Sequence, residues 1–233
     1  MPVFESELLE TISRTDNISS FRFSNPVDLQ FEAGQYFIIT IKEGNNTLVH
    51  HFSFSNSPTE VGYLEFTTRL RDSEFKNALR RLKKGDTVKL NGPFGEFLLK
   101  ADAEKISMLS GGIGITPFRS MIKYCTDKRL KAKITLLYGN RSETDIAFKD
   151  ELDIMQKENS NLKVVHTISE ADEDWSGYKG NIDESMIKKE IPDYLDNIFY
   201  CSGPPGMVKA MGDIILSIGV DKDNIIKENF SGY

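Results

Sequence analysis

Cysteine is scarce in this chain, and its scarcity excludes several classes of protein. The 233 residues contain only Cys125 and Cys201, which lie far apart in the sequence. Two cysteines cannot form the disulfide framework of a small secreted domain, or a zinc site built on pairs of cysteines. An iron–sulfur cluster held by this chain alone would need about four thiolates. We therefore expect no bound metal.

Long apolar runs and an excess of positive charge are also missing. No uninterrupted hydrophobic stretch approaches the ~20 residues that are needed to span a bilayer. The first five residues show no basic stretch followed by an apolar one, as a secretory signal would. The net charge is −6, with acidic and basic residues interspersed, whereas nucleic-acid binding requires a basic face. We expect a cytoplasmic protein with no membrane span and no nucleic-acid partner.

The first half of the chain has the pattern of short β-strands. Apolar or β-rich runs at residues 21–23, 36–41, 52–54 and 64–67 are separated by turn sequences. Strands at this spacing predict an antiparallel β-barrel. One helix interrupts the pattern, because Phe75, Ala78, Leu79 and Leu82 share a helical face behind an N-cap at Asp72-Ser73. We assign this domain to residues 1–100.

The second half repeats a strand, a loop and a helix. Strands are predicted at residues 106–109, 134–138, 162–168 and 198–200, with amphipathic helices between and after them. This alternation predicts a parallel sheet with helices on both faces. We assign this domain to residues 101–233, and we expect it to pack closely on the first because no Gly/Ser linker separates them.

Two loops of the second half lie between a predicted strand and a predicted helix. Their sequences are GGIGITP at residues 111–117 and CSGPPGM at residues 201–207. Glycines let the backbone approach phosphates, and a helix N-terminus supplies unpaired N–H groups. The spacing is not that of the Rossmann fingerprint, so a structural tight turn remains an alternative. We expect Thr116 and Cys201 to face one pocket, unless Cys201 is simply a small buried residue.

These loops, with ENFSGY at residues 228–233, resemble the ferredoxin–NADP reductase superfamily over the whole chain. In that family an N-terminal barrel binds FAD and an α/β domain binds the nicotinamide dinucleotide. The resemblance implies an NAD(P)H-dependent flavoprotein reductase that passes hydride to bound FAD. Electrons then go to an external acceptor, such as ferredoxin, flavodoxin or another small redox protein. A free-flavin reductase and an electron-transfer subunit of a larger complex are the alternatives.

The resemblance also assigns the flavin site. The family motif Arg-x-Tyr-Ser corresponds to His50-His51-Phe52-Ser53, where Phe52 keeps the aromatic face that stacks on the isoalloxazine ring. Ser53 keeps the hydroxyl group near flavin N5, and His50 replaces an arginine by a ring that titrates. A solvated histidine pair is the alternative for His50 and His51. The residues assigned to the FAD pyrophosphate are Arg69, Ser73, Phe75 and Lys76.

The remaining assignments concern the nicotinamide dinucleotide and the reacting atoms. By resemblance, Ser53, Cys201 and Glu228 are catalytic, and Phe230 and Tyr233 lie near the flavin. An ordinary last strand and tail is the alternative for the C-terminus. The residues assigned to the dinucleotide are Gly111, Gly112, Gly114, Ile115, Thr116, Pro117, Gly203, Pro204 and Met207.

The choice between NADH and NADPH depends on charges at two strand ends. Glu170 stands where the NADP-using members often carry an arginine, and a carboxylate there would repel a 2′-phosphate and accept from a ribose hydroxyl group. Arg141 follows the preceding strand and would favour the phosphate. We expect NADH to be preferred, with NADPH as the alternative.

Overall fold

The chain forms two six-stranded sheets, one antiparallel and one parallel. The structure is a computed structural model that describes residues 2–100 and 102–230. Tyr233 lies outside the described residues, so its assignment to the flavin stays a prediction. In the described part of the chain, no helix has the length and apolar character needed to cross a membrane.

The antiparallel sheet confirms the barrel predicted for the first half. Its strand order is β4-β3-β6-β1-β2-β5, and the outer strands β4 and β5 contact each other. Alternate side chains of these strands point inward and build a core rich in phenylalanine. The strands are β1 (Val3–Thr15), β2 (Ile18–Ser24), β3 (Tyr36–Glu43), β4 (Asn46–Ser53), β5 (Tyr63–Arg69) and β6 (Thr87–Phe94).

The helix of the barrel domain, α1 (Glu74–Arg81), packs on β3 and β4. It begins at the predicted N-cap, where the Ser73 side chain accepts a hydrogen bond of 3.3 Å from the Lys76 amide. Phe75, Ala78 and Leu79 are buried beneath it. The apolar spacing and the cap therefore predicted this element correctly.

The parallel sheet confirms the α/β architecture of the second half. Its order is β10-β9-β8-β7-β11-β12. Helices α2 and α3 pack on one face, and α4 and α5 pack on the other. The strands are β7 (Lys105–Gly111), β8 (Lys133–Asn140), β9 (Leu162–Ile168), β10 (Tyr178–Lys179), β11 (Ile198–Gly203) and β12 (Ile225–Asn229). The helices are α2 (Ile115–Asp127), α3 (Lys149–Glu158), α4 (Glu184–Glu190) and α5 (Pro205–Ser217).

A network of buried and half-buried charges joins the two domains, and sequence patterns gave no sign of it. Arg119 on α2 forms ion pairs with Glu60 of the barrel domain and with Glu151 on α3. Arg14 on β1 pairs with the same Glu151 and with Glu65, which is fully buried. We call this set the interdomain charge network; its members are Arg14, Arg22, Glu60, Glu65, Arg119 and Glu151.

Candidate functional site

A cleft of about 690 Å³ opens at the carboxyl ends of the parallel strands and is lined by residues of both domains. This is the edge at which open α/β sheets bind their ligands. The first glycine-rich loop forms part of its wall, through Gly111, Gly112 and Ile113. The second contributes Pro204, Gly206 and Met207.

The two glycine-rich loops pack directly against each other. A Cβ atom on Gly111 would lie 2.1 Å from the Met207 sulfur, and one on Gly114 would lie 2.3 Å from the Ser202 carbonyl oxygen. Gly112 has φ +53 and nothing within 4 Å of a Cβ position, so its backbone borders open space. A short 3₁₀ turn and the start of α2 follow at once. This exposed backbone at a helix start is suited to a diphosphate.

The three residues after this loop do not face the cleft, contrary to the expectation for Thr116. Ile115, Thr116 and Pro117 are all buried in the first turn of α2. The Thr116 hydroxyl group donates to the Ile113 carbonyl oxygen at 3.2 Å. Thr116 therefore holds the turn together, and its side chain is not available to position reacting atoms.

Cys201 also lies on the wrong face of its strand for the predicted role. Its side chain has no solvent exposure and packs with Leu109, Leu137 and Phe199 between the sheet and helices α4 and α5. Burial raises the pKa of this thiol to about 12, so it stays protonated at neutral pH. The assignment of Cys201 as a catalytic residue was wrong because side chains alternate along a strand.

Ser202, the next residue, is the one that the sequence reasoning missed. It is paired in register with Ser110 on β7 and with Glu228 on β12. The hydroxyl oxygens of Ser110 and Ser202 are buried and have no hydrogen-bond partner among the described residues. Their row leads to Glu228 at the edge of the sheet. The alternation of side chains along β11 could have shown this, since Tyr200 and Ser202 share one face of the sheet while Phe199 and Cys201 share the other.

Glu228 borders a second recess of about 290 Å³ beside β4. Its carboxyl group is desolvated, and burial raises its pKa to about 7. One carboxyl oxygen, Oε2, is buried without a partner in the described part of the chain. The structure thus brings His50, Ser53, Glu228 and Phe230 to the border of one recess. The recess is lined by Tyr36, Ile38, Val49, His50, His51, Ser53, Glu228, Asn229 and Phe230.

Phe52 does not offer the open aromatic face that was expected of it. It is 3% exposed and belongs to a stack of three nearly parallel rings. Its centroid lies 4.2 Å from that of Phe66 and 4.7 Å from that of His50, with interplanar angles of 13° and 14°. His50 is the member of this stack that borders the recess. Phe75 packs against His50 at 5.2 Å.

Lys76 places a buried ammonium group beside this ring stack. Its Nζ donates to the Thr68 hydroxyl oxygen at 2.5 Å and lies 4.4 Å from the centroid of the Phe52 ring. Burial lowers the pKa of Lys76 to about 7. Burial also lowers the pKa of His50, and the nearby Lys76 charge adds to this effect. Two titrating groups therefore stand where the family motif has a permanent cation. Sequence reasoning had assigned only the amide of Lys76.

Arg69 lies in the large cleft rather than in the recess beside β4. Its guanidinium group pairs with Asp145 of the α/β domain at 2.7 Å and donates to Asn17 at 2.8 Å. The Arg69 guanidinium holds the pKa of Asp145 below its usual range, although burial of that carboxyl group acts in the other direction. Arg69 thus borders the large cleft beside Asp145, and its assignment to the FAD pyrophosphate stays a prediction.

Arg141 and Glu170, the two residues expected to choose the nicotinamide cofactor, are paired with each other. Arg141 Nε lies 2.8 Å from Glu170 Oε2, and both side chains are exposed. Arg141 and Ser169 border the cleft. The carboxylate therefore stands close enough to Arg141 to neutralise it at the mouth of the cleft.

This fold, with a ligand-sized recess at each sheet, defines a two-domain dinucleotide-binding protein. The donor sets fit the expected groups: exposed loop backbone for a diphosphate, and the His50 ring with the Ser53 hydroxyl and Glu228 carboxyl groups at the recess for a flavin. Residues 6–98 match the model of the oxidoreductase FAD-binding domain. Residues 108–213 match that of the oxidoreductase NAD-binding domain.

Curated relatives and solved structures agree with these matches. The glycine betaine monooxygenase reductase subunit of Chromohalobacter salexigens is 28% identical, over 95% of this chain and 62% of the relative. A subunit of the Na(+)-translocating NADH-quinone reductase of Serratia proteamaculans is 34% identical, over 81% of this chain and 50% of the relative. This chain thus spans between half and two thirds of the length of these relatives.

Among solved structures, the ferredoxin reductase in carbazole 1,9a-dioxygenase superposes with a TM-score of 0.85 at 25% identity, covering 99% of this chain and 70% of that chain. A ferredoxin NADP+ reductase from Neisseria gonorrhoeae with bound FAD and NADP gives 0.84 at 22% identity, over 98% and 99% of the two chains. The two family models together match most of the chain, which therefore belongs to the oxidoreductases that combine an FAD-binding domain with an NAD-binding domain.

Proposed function

We propose that this chain is an NAD(P)H-dependent flavoprotein reductase that supplies electrons to a separate acceptor. One observation carries the proposal: Phe230 lines both the 690 Å³ cleft and the 290 Å³ recess, so the two share a wall. Ligands in the two spaces would be neighbours, as hydride transfer requires. Bound FAD would accept the hydride of the nicotinamide and release the electrons to the acceptor.

The residues of this chain have distinct tasks in the proposal. The backbone of Gly111, Gly112 and Ile113 binds the diphosphate of the nicotinamide dinucleotide. His50 and Lys76 supply positive charge toward FAD below neutral pH. Ser53 offers a hydroxyl group in the recess, and the Glu228 carboxyl group beside it holds a proton below about pH 7.

The acceptor that we propose is a small acidic redox protein in the cytoplasm. Arg71, Arg80, Lys83 and Lys84 are exposed around α1, where they outnumber the exposed carboxylates Asp72, Glu74 and Asp86. The relatives described as a monooxygenase reductase subunit and as a dioxygenase ferredoxin reductase are reductase components by name. That likeness supports a separate protein as the acceptor.

The identity of the flavin tests this function. We expect the purified protein to release about one FAD per chain on heating, because residues 6–98 match the model of an FAD-binding domain. A second candidate, reduction of free flavin, is favoured by the closed stack over Phe52 and by the titrating groups that replace an arginine. A protein that loses its flavin on dialysis but still oxidises NAD(P)H with added flavin would support that candidate. Release of FMN would contradict both the FAD assignment and the proposal.

Glu170→Arg is expected to shift the cofactor preference toward NADPH. The substitution removes the carboxylate paired with Arg141 and leaves two cations at the mouth of the cleft. Because this pair is exposed and screened by solvent, we expect the NADPH/NADH ratio of kcat/KM to rise by no more than about tenfold. The change should appear in KM, since the adenosine end is bound equally in the ground and transition states.

Steady-state kinetics with both cofactors measure this shift. Glu184→Arg is the matched control, because Glu184 forms a similar exposed pair with Lys188 on α4. An unchanged ratio in Glu170→Arg would show that Glu170 does not face the ribose, and would remove the basis for the preference for NADH.

Glu228 is expected to make stability depend on pH. Its pKa is raised from 4.5 to about 7, so between these values the folded protein holds a proton that the unfolded chain has released. The contribution of this group to stability is complete below about pH 4.5 and is lost as the pH rises through about 7. Relative to Glu228→Gln, the wild type should lose about 3 kcal/mol of unfolding free energy across this window. Urea titrations of both proteins at a series of pH values measure the difference; parallel curves would refute the raised pKa.

A further inference from the structure

Asn140 is a buried polar side chain that none of the tasks above explains. It is the last residue of β8, is 7% exposed and lines the 690 Å³ cleft. Neither its carbonyl oxygen Oδ1 nor its amide nitrogen Nδ2 has a hydrogen-bond partner among the described residues. The Tyr138 hydroxyl group lies close to it. Because this hydroxyl group donates to the Gly112 carbonyl oxygen at 3.0 Å, it can only accept from the Asn140 amide and leaves the Asn140 Oδ1 atom without a donor.

An orphaned carboxamide at this place weakens the fold. A buried donor or acceptor that is left unsatisfied lowers the stability of the folded state, because the group has lost its hydrogen bonds to water. The backbone of Asn140 is fully used, because it pairs with Ile168 of β9 and its carbonyl oxygen accepts from the Ser169 amide at 3.0 Å. Only the side chain is left without partners in the described part of the chain. Buried polar groups of this kind in native structures call for a ligand or for ordered water.

The position of Asn140 in the cleft indicates which part of a ligand it would meet. The glycine-rich loop, with Gly111 and Gly112, lies on the neighbouring strand β7. Arg141 and Ser169 lie at the ends of β8 and β9 and border the same cleft. Asn140 therefore stands between the loop suited to the diphosphate and the charged pair at the ribose end.

The chemistry of the carboxamide further narrows which group of the ligand it would contact. It carries two donors and one acceptor and has no charge. It can therefore hydrogen-bond to a sugar hydroxyl group or a phosphoryl oxygen. A neutral group cannot distinguish a 2′-phosphate from a 2′-hydroxyl group by charge. That discrimination falls to Arg141 and Glu170.

We propose that Asn140 recognises the sugar–diphosphate portion of the nicotinamide dinucleotide, through a group that NADH and NADPH share. The inference rests on the proposed function, in which the cleft holds this cofactor. It makes Asn140 a binding residue that raises affinity for both cofactors and lowers the stability of the free protein.

Asn140→Leu separates this role from a structural one. Leucine has nearly the same size and removes the unsatisfied groups, so the ligand-free protein should melt at the same temperature or higher. Affinity for ADP-ribose and for 2′-phospho-ADP-ribose should fall by the same factor, roughly 10- to 100-fold for one or two hydrogen bonds. Asn140→Asp keeps the shape of the side chain but adds a negative charge near the diphosphate, so it should lower the affinity for both ligands further.

Calorimetric titration of the flavin-loaded protein with each fragment measures the effect, and thermal melting measures stability. Asn159→Leu is the control, because Asn159 is buried outside the cleft and has partners in Thr126 and Asn161. That variant should lose stability and keep its affinity for ADP-ribose.

The outcomes distinguish this inference from the function on which it rests. Wild-type affinity for ADP-ribose in both Asn140 variants would overturn the role of Asn140 while leaving the proposed function intact. A loss confined to 2′-phospho-ADP-ribose would overturn the claim that the recognised group is shared. Failure of the wild type to bind either fragment would overturn both the inference and the dinucleotide site.

Discussion

Replacing Arg119 with methionine is expected to lower the free energy of unfolding by about 3–5 kcal/mol, the usual cost of breaking a buried ion pair. Arg119 is 5% exposed and bridges Glu60 of the barrel domain to Glu151 on α3. It also donates to the Ser55 carbonyl oxygen at 3.1 Å. The variant would leave Glu60 and Glu151 without this partner in a desolvated interface.

Urea titration of the flavin-loaded protein measures this loss. Lys209→Met is the matched control, because Lys209 forms an exposed pair with Asp213 on α5. Exposed pairs are worth about 0–1 kcal/mol, so the control should unfold almost like the wild type. A loss below about 1 kcal/mol in Arg119→Met would mean that the interdomain charge network does not hold the two domains together.

Gly114→Ala is expected to slow the reduction of bound flavin by NAD(P)H by roughly 100-fold or more, while the flavin content of the protein stays unchanged. An added Cβ would lie 2.3 Å from the Ser202 carbonyl oxygen and 2.6 Å from the Gly203 Cα atom. Both are backbone atoms, so the two glycine-rich loops must move apart. A displacement of about 1 Å at a reacting site costs rates on the order of 100-fold.

Gly206→Ala provides the comparison for this loss. Gly206 also lines the cleft, but it lies within α5 and nothing stands within 4 Å of its Cβ position. It should keep most of the activity. Reduction of both variants by dithionite reports on the flavin side alone and should be normal. A Gly114→Ala protein that is reduced by NADH at the wild-type rate would show that contact between the loops does not shape the cleft.

Local patterns predicted those parts of the molecule that depend on neighbouring residues. The apolar spacing and the Ser73 cap gave α1, and the strand–loop–helix repeat gave the parallel sheet. The resemblance placed Glu228 near Ser53, and in the structure both residues border one recess. These features are set by propensity, periodicity and motif order, which a single sequence displays.

The features that the sequence did not predict depend on which face of a strand a side chain occupies and on contacts between residues far apart in the chain. Cys201 was chosen for its chemistry, although the alternation in β11 turns its side chain into the core beside α4 and α5 and turns Ser202 to the opposite face. Arg69 pairs with Asp145, which is 76 positions away, and borders the larger cleft. No periodic signal reports such pairs, because they are formed only when the two domains pack.

Anaerobic mixing of the flavin-loaded protein with NADH, and separately with NADPH, is the most direct test of the shared wall between cleft and recess. The absorbance of oxidised flavin should disappear in a single turnover, at a rate that saturates with the cofactor and is faster with NADH. Absorbance that persists with both cofactors, in a protein that retains FAD and binds ADP-ribose, would contradict the account, because the two sites would then be occupied without exchanging electrons.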